Sequence, residues 1–277
     1  MRDNTETMKI KDIISSRNKK TNCFSFFNEI CDWIEDSKAD FYLINTCVFV
    51  FYKANKFYKF YYCVDNLEDI IFAKDLLREY SLSNKVVLEF TTKNDKGLDE
   101  ISNTLLQIGF EIYSELVRLI QGQIVFTSEK KVKENNEEYE LATLDNKDEL
   151  LEIMHKEFDI LKDDIPTEEE LLKLISNKSI VIKTLDNQIV LIQIYEYLKG
   201  ALYSRMTWIK KEYRKPKYTI DIHKSIDSYL QDLNIENFKN FKSYGWIDKS
   251  NRNLKVNLKM GAVLDGITCT IFLYKNN

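Results

Sequence analysis

Glycine, proline and histidine are scarce in this chain of 277 residues, which has 7 Gly, 2 Pro and 2 His. So few glycines and prolines disfavour Gly-rich phosphate loops, collagen-like repeats and Pro-rich linkers. With only His155 and His223 and no CxxC pair, a classical zinc site is not expected, and we predict no metal. A His-centred Ser or Cys triad has only those two histidines to draw on.

Long apolar runs are also missing. No stretch reaches the about 18 apolar residues that a transmembrane helix needs, so we expect no membrane partner. The first residues, from Met1 to Glu6, lack the apolar segment of a signal peptide. The cysteines number 5, an odd count without a CxxC pair, which is typical of reduced thiols in a cytoplasmic protein.

Neither sign of charge is in large excess, because 40 Lys and Arg face 44 Asp and Glu for a formal net charge of -4. Nucleic-acid-binding proteins usually carry a basic excess, so we expect no nucleic-acid partner. Hydrophobic residues at 44% and charged residues at 30% indicate an ordinary globular protein. At roughly 100–200 residues per domain, the length predicts two domains or one large one.

The segment Ser128–Glu138 is polar and lacks apolar periodicity, which predicts a linker between two domains, 1–130 and 138–277. In the first half, apolar spacing predicts helices over Phe26–Ile34, after Asn66, and over Asp99–Ile108 with Gly109 behind it. Runs of β-branched and aromatic residues predict strands over Phe41–Tyr52, Phe57–Val64, Lys85–Phe90 and Glu111–Ile120.

The second half has a related order of elements. Its pattern predicts helices over Lys147–Phe158, Thr167–Ser176, Tyr218–Leu233 and Ser250–Met260. Strands are predicted over Tyr139–Thr143, Ser179–Leu185, Gln188–Tyr197, Ala201–Ile209, Asn240–Ile247 and within Ala262–Tyr274. The shared order predicts an α/β (α+β) fold of two related domains, each with a mixed, mostly antiparallel sheet flanked by helices.

Four separate stretches of the second half follow one another in a distinctive order. They are Phe158–Leu171, Met206–Arg214, Gly245–Asn251 and Asn257–Ala262. In order and spacing they resemble the GNAT superfamily of acyl-CoA-dependent N-acyltransferases. The first half resembles a second, more divergent copy, so the resemblance implies a divergent GNAT-like domain at 1–130 and a GNAT-like acyltransferase domain at 138–277.

The resemblance also implies acetyl-CoA as co-substrate and a set of residues around it. The backbone of Thr207, Trp208 and Ile209 would pair with the pantetheine. The diphosphate would meet residues that follow this strand, and Asn251 would lie near the same ligand; these phosphate-site residues are Arg214, Lys215, Lys217, Tyr218 and Thr219. The candidate catalytic residues are Glu196 as base, Tyr203 as a substitute acid, and Tyr244 at the end of its strand.

Three positions depart from the family pattern. Lys217 and Thr219 stand where the family has the glycines of its phosphate loop, and Asn257 stands where it often has a leaving-group Tyr. The Lys217 side chain would either block the diphosphate or bind it as a point charge. Arg205 would either pair with an acidic substrate or face solvent on the strand's polar side.

These observations predict an N-acyltransferase that moves an acetyl or other small acyl group to a primary amine of a small molecule or peptide. The alternative is a non-catalytic tandem GNAT-like binding module that has lost acetyl-CoA chemistry. A third, weaker hypothesis is aminoacyl transfer from charged tRNA, although no basic stripe supports it. The sequence leaves a homodimer open.

Overall fold

The computed structural model describes residues 4–16, 18–23, 30, 32–33, 36–121, 139–198, 201–214 and 242–275. Residue contacts divide the chain into a first unit, Met1–Val117 with Gly266–Asn277, and a second unit, Arg118–Asp265. The segment Gly266–Asn277, which the sequence assigns to the second domain, is thus counted with the first unit. The predicted linker and the helix predicted at Tyr218–Leu233 lie outside the described residues, so the domain boundaries stay a prediction.

The elements that begin before the second unit run in the order helix, four strands, two helices, strand, helix, strand. Their bounds are α1 Asn4–Ser15, β1 Lys20–Thr21, β2 Ala39–Ile44, β3 Cys47–Ala54, β4 Phe57–Val64, a 3-10 helix Leu67–Ala73, α2 Lys74–Ser83, β5 Lys85–Lys93, α3 Leu98–Ile108 and β6 Phe110–Gln121. The helix predicted over Phe26–Ile34 lies mostly outside the described residues.

The later elements begin with a short strand and two helices. Their bounds are β7 Glu140–Leu141, α4 Lys147–Glu157, α5 Glu168–Ser176, β8 Ile180–Leu185, β9 Gln188–Leu198, β10 Ala201–Ile209, a 3-10 turn Lys211–Tyr213, β11 Lys242–Asp248, α6 Asn253–Lys259 and β12 Ala262–Tyr274. None of the helices in the described part of the chain is long and apolar enough to cross a membrane.

Most predicted elements are present, and several helix ends follow from local chemistry. Gly109 ends α3 in the left-handed conformation at φ 105°, which glycine adopts without a Cβ clash. Thr167 begins α5 with a capping box, since its Oγ1 accepts from the Glu170 N–H and the Glu170 carboxylate accepts from the Thr167 N–H.

The prediction of a single strand over Phe41–Tyr52 is wrong, because this segment forms parts of two antiparallel strands, β2 and β3. The turn between them is Asn45–Thr46, with Asn45 at φ 56°. Asn tolerates this left-handed conformation, and neither Gly nor Pro marks the turn in the sequence. The strand predicted over Tyr139–Thr143 is also too long, since Thr143 already donates its N–H to Asn146 Oδ1 at 2.8 Å in a turn.

In each unit a strand pairs with its parallel neighbour only over a short stretch. In the first unit, β2, β3 and β4 are antiparallel, and β4 pairs in parallel with β5 from Phe57 to Lys59. In the second unit, β8, β9 and β10 are antiparallel, and β10 pairs in parallel with β11 from Ala201 to Ser204. Each unit therefore has a pair of parallel strands that diverge after their first few residues.

The prediction of strands within Ala262–Tyr274 is corrected to one strand, β12. Its residues Ile267–Leu273 run antiparallel to Lys93–Val87 of β5, inside the first unit. No short-range pattern in the sequence indicates this partner, because the two segments are far apart along the chain.

Candidate functional site

A β-bulge in β10 shapes the point at which β10 and β11 diverge. On β9 the neighbours Tyr195 and Ile194 pair with Ser204 and Met206, so Arg205 is an extra residue without a cross-strand partner in this ladder. A bulge of this kind turns the side chains on either side of it relative to strict alternation. As a result Tyr203 lies on the same face of the sheet as Met206, and this face packs against α4 and α5.

The three candidate catalytic residues lie side by side on that face. Tyr203 is the register partner of Glu196 on β9 and of Tyr244 on β11. The rings of Tyr203 and Tyr244 stack with centroids 5.0 Å apart and planes 16° apart. The structure therefore brings Glu196, Tyr203 and Tyr244 together in one row across three strands; their catalytic roles stay a prediction.

Arg205 is buried and paired, so the expectation that it faces solvent is wrong. Its side chain is 8% exposed, and its Nε lies 3.0 Å from Asp164 Oδ2. Its Nη1 donates to Glu196 Oε1 at 3.3 Å, and its Nη2 lies 3.6 Å from Glu170 Oε2. Three carboxylates and one guanidinium sum to a charge of -2, so this cluster attracts cations rather than an acidic substrate.

Different charged groups act on the two tyrosines. Burial raises the pKa of the Tyr203 phenol, the Asp164 carboxylate raises it further, and the Arg205 guanidinium opposes the rise. Burial also raises the pKa of the Tyr244 phenol, where the Arg118 guanidinium opposes the rise. Arg118 lies 5.5 Å from the centroid of the Tyr244 ring and is held by a hydrogen bond from its Nε to Asp265 Oδ2 at 2.7 Å.

Gln193 fixes the other face of the bulge. Its fully buried side chain donates from Nε2 to Ser204 Oγ at 3.0 Å and accepts at Oε1 from Thr207 Oγ1 at 2.5 Å. These bonds bridge the residues on both sides of Arg205, so they hold the bulge in one geometry.

Thr207, Trp208 and Ile209, which are predicted to bind acetyl-CoA, form the C-terminal end of β10. Beyond Ser204, none of the described strands pairs with the edge of β10 that faces β11. Gly245 lets the two strands approach just before this point, since a Cβ there would lie 3.1 Å from the Ser204 carbonyl oxygen. The open edge at Thr207–Ile209 therefore fits a ligand that pairs with the backbone.

The side chains of Trp208 and Arg214 make different kinds of contact. Trp208 packs in the apolar core with Met206, and Arg214 donates from Nε to the Ile209 carbonyl at 2.8 Å while remaining half exposed. The other predicted phosphate-site residues lie outside the described part of the chain; they are Lys215, Lys217, Tyr218 and Thr219.

Asn251 and Asn257 make local contacts around α6. Asn251 Oδ1 accepts from the Asn253 N–H at 2.9 Å, and Asn257 Nδ2 donates to the Asn253 carbonyl at 2.9 Å. Asn251 thus stabilises the turn before the helix, and its role near acetyl-CoA stays a prediction.

The sequence did not identify several residues of this cluster. Asp164 and Glu170 come from the segment before α5 and from α5 itself, and both are part of charged runs that resemble any solvated surface. Arg118 and Gln193 lie in the middle of strands. The sequence gives one signal: Arg205 and Gln193 are polar residues in otherwise apolar strands. A polar residue at such a position needs a partner, so each indicates that further polar residues lie nearby.

Solved structures with the same fold include proteins described as GCN5-related N-acetyltransferases. A tandem GNAT protein from the clavulanic acid biosynthesis pathway is 8% identical, covers 98% of this chain and 95% of its own, and has a TM-score of 0.54. A GCN5-related N-acetyltransferase from Sphaerobacter thermophilus is 9% identical, covers 96% of this chain and 91% of its own, and also has a TM-score of 0.54.

A functionally unknown conserved protein from Staphylococcus epidermidis is 13% identical, covers 92% of this chain and 99% of its own, and has a TM-score of 0.52. No protein-family model and no curated protein sequence matches the chain. At such low identities a structural likeness shows the fold. The chain therefore has the GNAT fold, with two GNAT-like units in tandem.

Proposed function

We propose that the protein is an acyl-CoA-dependent N-acyltransferase whose reaction takes place in the second unit. It would move an acetyl or other small acyl group to a primary amine of a small molecule or peptide. The observation that supports this most is the row of Glu196, Tyr203 and Tyr244 beside the bulge, at the point where β10 and β11 diverge.

The acyl donor would bind along the open edge of β10. The backbone of Thr207, Trp208 and Ile209 would hold the pantetheine. Arg214, which follows the 3-10 turn after this strand and donates to the Ile209 carbonyl, would meet the diphosphate. The predicted contacts of Lys215, Lys217, Tyr218, Thr219 and Asn251 belong to this proposal. Bound acetyl-CoA would supply an acyl thioester, which is activated toward attack by an amine.

The acceptor would be a cation in solution, because amines are protonated near neutral pH. The charge of -2 around Arg205 favours such a group. An ammonium about 4 Å from one carboxylate gains ~4 kcal/mol at an effective dielectric of about 20. Solvent screening at the half-exposed Asp164 and Glu170 reduces this gain, so Glu196, which is less exposed, would be the main contact.

Three proton transfers would then be required, because the nitrogen of the bound ammonium loses two protons on its way to the amide. The Glu196 carboxylate would accept the first, which frees the amine to attack the thioester carbonyl carbon, and the second would pass to Tyr244 as the C–S bond breaks. The departing thiolate must gain a proton, and we assign its donor to Tyr244, where Arg118 opposes the rise of the phenol pKa. Tyr203, whose pKa is raised by both burial and Asp164, would stay protonated and orient Tyr244 through the ring stack.

Release of the CoA thiol from acetyl-CoA tests this proposal, measured with a thiol reagent and a panel of primary amines. We expect amine-dependent release by the native protein and an acetyl-CoA-dependent rise in the melting temperature, because a ligand that binds the folded state stabilises it. No release and no melting shift at millimolar acetyl-CoA would refute the proposal.

The second candidate function is a non-catalytic tandem GNAT-like binding module. One observation favours it: Asn257, at the position where the family often has its leaving-group Tyr, is engaged with the Asn253 carbonyl and has no proton to give at neutral pH. A melting shift with acetyl-CoA, or with another small molecule, but no thiol release with any amine would support this alternative.

A further inference from the structure

The first unit contains the same pair of diverging strands, but its own chain fills the gap. One edge of β4 pairs with β3 from Phe57 to Cys63. The other edge pairs with β5 only as far as Lys59. Further along that second edge, Cys63 and Val64 pair with Thr21 and Lys20 of β1.

We propose that the segment Lys19–Cys23, which we call the strap, permanently occupies the acyl-CoA cleft of the first unit. The protein then has one acyl-CoA site per chain, in the second unit. This inference rests on the proposed function, because it takes the gap between the diverging strands as the place where acyl-CoA would bind.

Asn22 is the part of the strap that bridges the two diverging strands. Its side chain is buried, at 3% exposure, and accepts at Oδ1 from the Tyr62 N–H of β4 at 2.9 Å. Its Nδ2 donates to the Phe60 carbonyl of β4 at 3.0 Å and to the Glu89 carbonyl of β5 at 3.2 Å. One amide thus satisfies three backbone groups that a ligand in the cleft would otherwise have to satisfy.

Two lysines fasten the strap beside Asn22. Lys19 Nζ donates to Asp65 Oδ1 at 2.7 Å and to the Thr46 carbonyl at 2.8 Å, and its side chain is only 10% exposed. Lys20 Nζ lies 3.2 Å from Glu100 Oε1 of α3. The strap is therefore connected to β4, to the turn before β3 and to α3.

The charge at the end of β4 independently opposes a diphosphate. The helix that follows begins with acidic residues, Glu68 and Asp69, and the Asp69 carboxylate accepts from the Asn66 N–H at 2.9 Å. Hydrogen bonds from Lys19 and Thr46 lower the pKa of the Asp65 carboxyl, so Asp65 is charged at neutral pH. The carboxylates of Asp65, Glu68 and Asp69 therefore place negative charge at the end of β4, and this charge repels a diphosphate.

Hydrogen exchange read by mass spectrometry tests the strap in the full-length protein, with and without millimolar acetyl-CoA. We expect acetyl-CoA to slow exchange in peptides that cover 206–209 and to leave peptides that cover 60–64 unchanged. Slower exchange at 60–64 would overturn the inference. If acetyl-CoA changes the exchange rate of no peptide, acetyl-CoA binding is refuted. The hydrogen bonds of the strap are then tested by the variants described next.

The first variant, Asn22→Leu, removes the three hydrogen bonds at similar side-chain size. We expect the Tyr62 amide to exchange about tenfold faster or more. Asn103→Leu, on the exposed side of α3, is the matched control and should leave Tyr62 unchanged. If Asn22→Leu does not fold, the exchange rate of the Tyr62 amide in the native protein is the test. A rate equal to that of surface amides would contradict the hydrogen bond from Tyr62 to Asn22.

Discussion

The hairpin β3–β4 of the first unit corresponds to the hairpin β9–β10 of the second. Counted from the turn, the third cross-strand residue pair has different side chains in the two hairpins. In the second unit this pair is Glu196 and Tyr203. In the first unit it is Tyr52 and Lys59; Tyr52 packs against Trp33 with ring centroids 4.7 Å apart, and Lys59 is paired with Glu89 at 2.7 Å. The same backbone position thus carries a partly exposed carboxylate in one unit and an aromatic contact in the other.

The ladders that support these pairs differ as well. The register between β3 and β4 is continuous from Ala54 to Val48, whereas that between β9 and β10 shifts at Arg205. The bulge turns Arg205 toward three carboxylates. On the opposite edge of β10, pairing with β11 ends at Ser204. The same pair of parallel strands is therefore bridged by another segment of the chain in the first unit. In the second unit it borders an open strand edge, which makes it a candidate ligand site.

The largest expected effect is on turnover. Glu196→Gln removes the proposed proton acceptor at nearly constant shape, so we expect kcat to fall by about 10²–10⁴-fold while acetyl-CoA still binds. Tyr52→Phe, at the matching position of the first unit, should leave kcat unchanged. Steady-state kinetics and acetyl-CoA titration of both variants check this prediction, and equal losses in the two variants would contradict the assignment of the reaction to the second unit.

The next effect is on stability in the first unit. Asn22→Leu leaves the Tyr62 N–H and the Phe60 and Glu89 carbonyls without their partner, and we expect a loss of about 3 kcal/mol in the free energy of unfolding. Asn103→Leu should change it by less than about 0.5 kcal/mol. Urea denaturation measures both, and a similar loss in the two variants would show that Asn22 has no special role.

A smaller effect is expected for the charge cluster of the second unit. Arg205→Met leaves three carboxylates without their guanidinium, and we expect a loss of about 2 kcal/mol at pH 7, less than for a fully buried pair because Asp164 and Glu170 are half exposed. The exposed Lys173→Met on α5 is the control and should cost little. Urea denaturation of both variants at pH 7 checks this, and equal losses in the two variants would contradict a role of the charge cluster in stability.

The smallest expected effect concerns the pH dependence of the strap. Hydrogen bonds from Lys19 and Thr46 lower the folded-state pKa of the Asp65 carboxyl below its unfolded value. The stabilisation is then fully present above the unfolded pKa and is lost as pH falls through the folded pKa. Melting temperatures of the native protein and Asp65→Asn should therefore differ at pH 7 and converge as the pH falls through the lowered pKa of Asp65; a constant difference would contradict the role of this charge.

The sequence was sufficient for most of the fold because hydrophobic spacing and capping are local signals. Gly109 after α3, and Thr167 with Glu170 at α5, could be identified from neighbours alone. The turn at Asn45 could not, since aromatic and β-branched residues continue through it. The pairing of β12 with β5 was missed because it depends on contacts between distant parts of the chain.

The candidate site could be predicted only in part. Glu196 and Tyr244 are candidates because each stands near a strand end of the family pattern, and Tyr203 is a candidate because strict alternation would place it on the same face as Arg205; their roles stay predictions. The bulge was not predicted, and strict alternation would place Tyr203 with Thr207 rather than with Met206. The strap was also missed, since nothing in Lys19–Cys23 itself indicates that its Asn22 side chain satisfies the backbone of two other strands.

A crystal structure of the protein with acetyl-CoA would show whether the gap between β10 and β11 binds the ligand and the gap between β4 and β5 does not. We expect one ligand per chain, with its pantetheine paired to the backbone of Thr207–Ile209, and Asn22 still bridging β4 and β5. A ligand between β4 and β5 with the strap displaced, or none beside β10, would contradict this expectation.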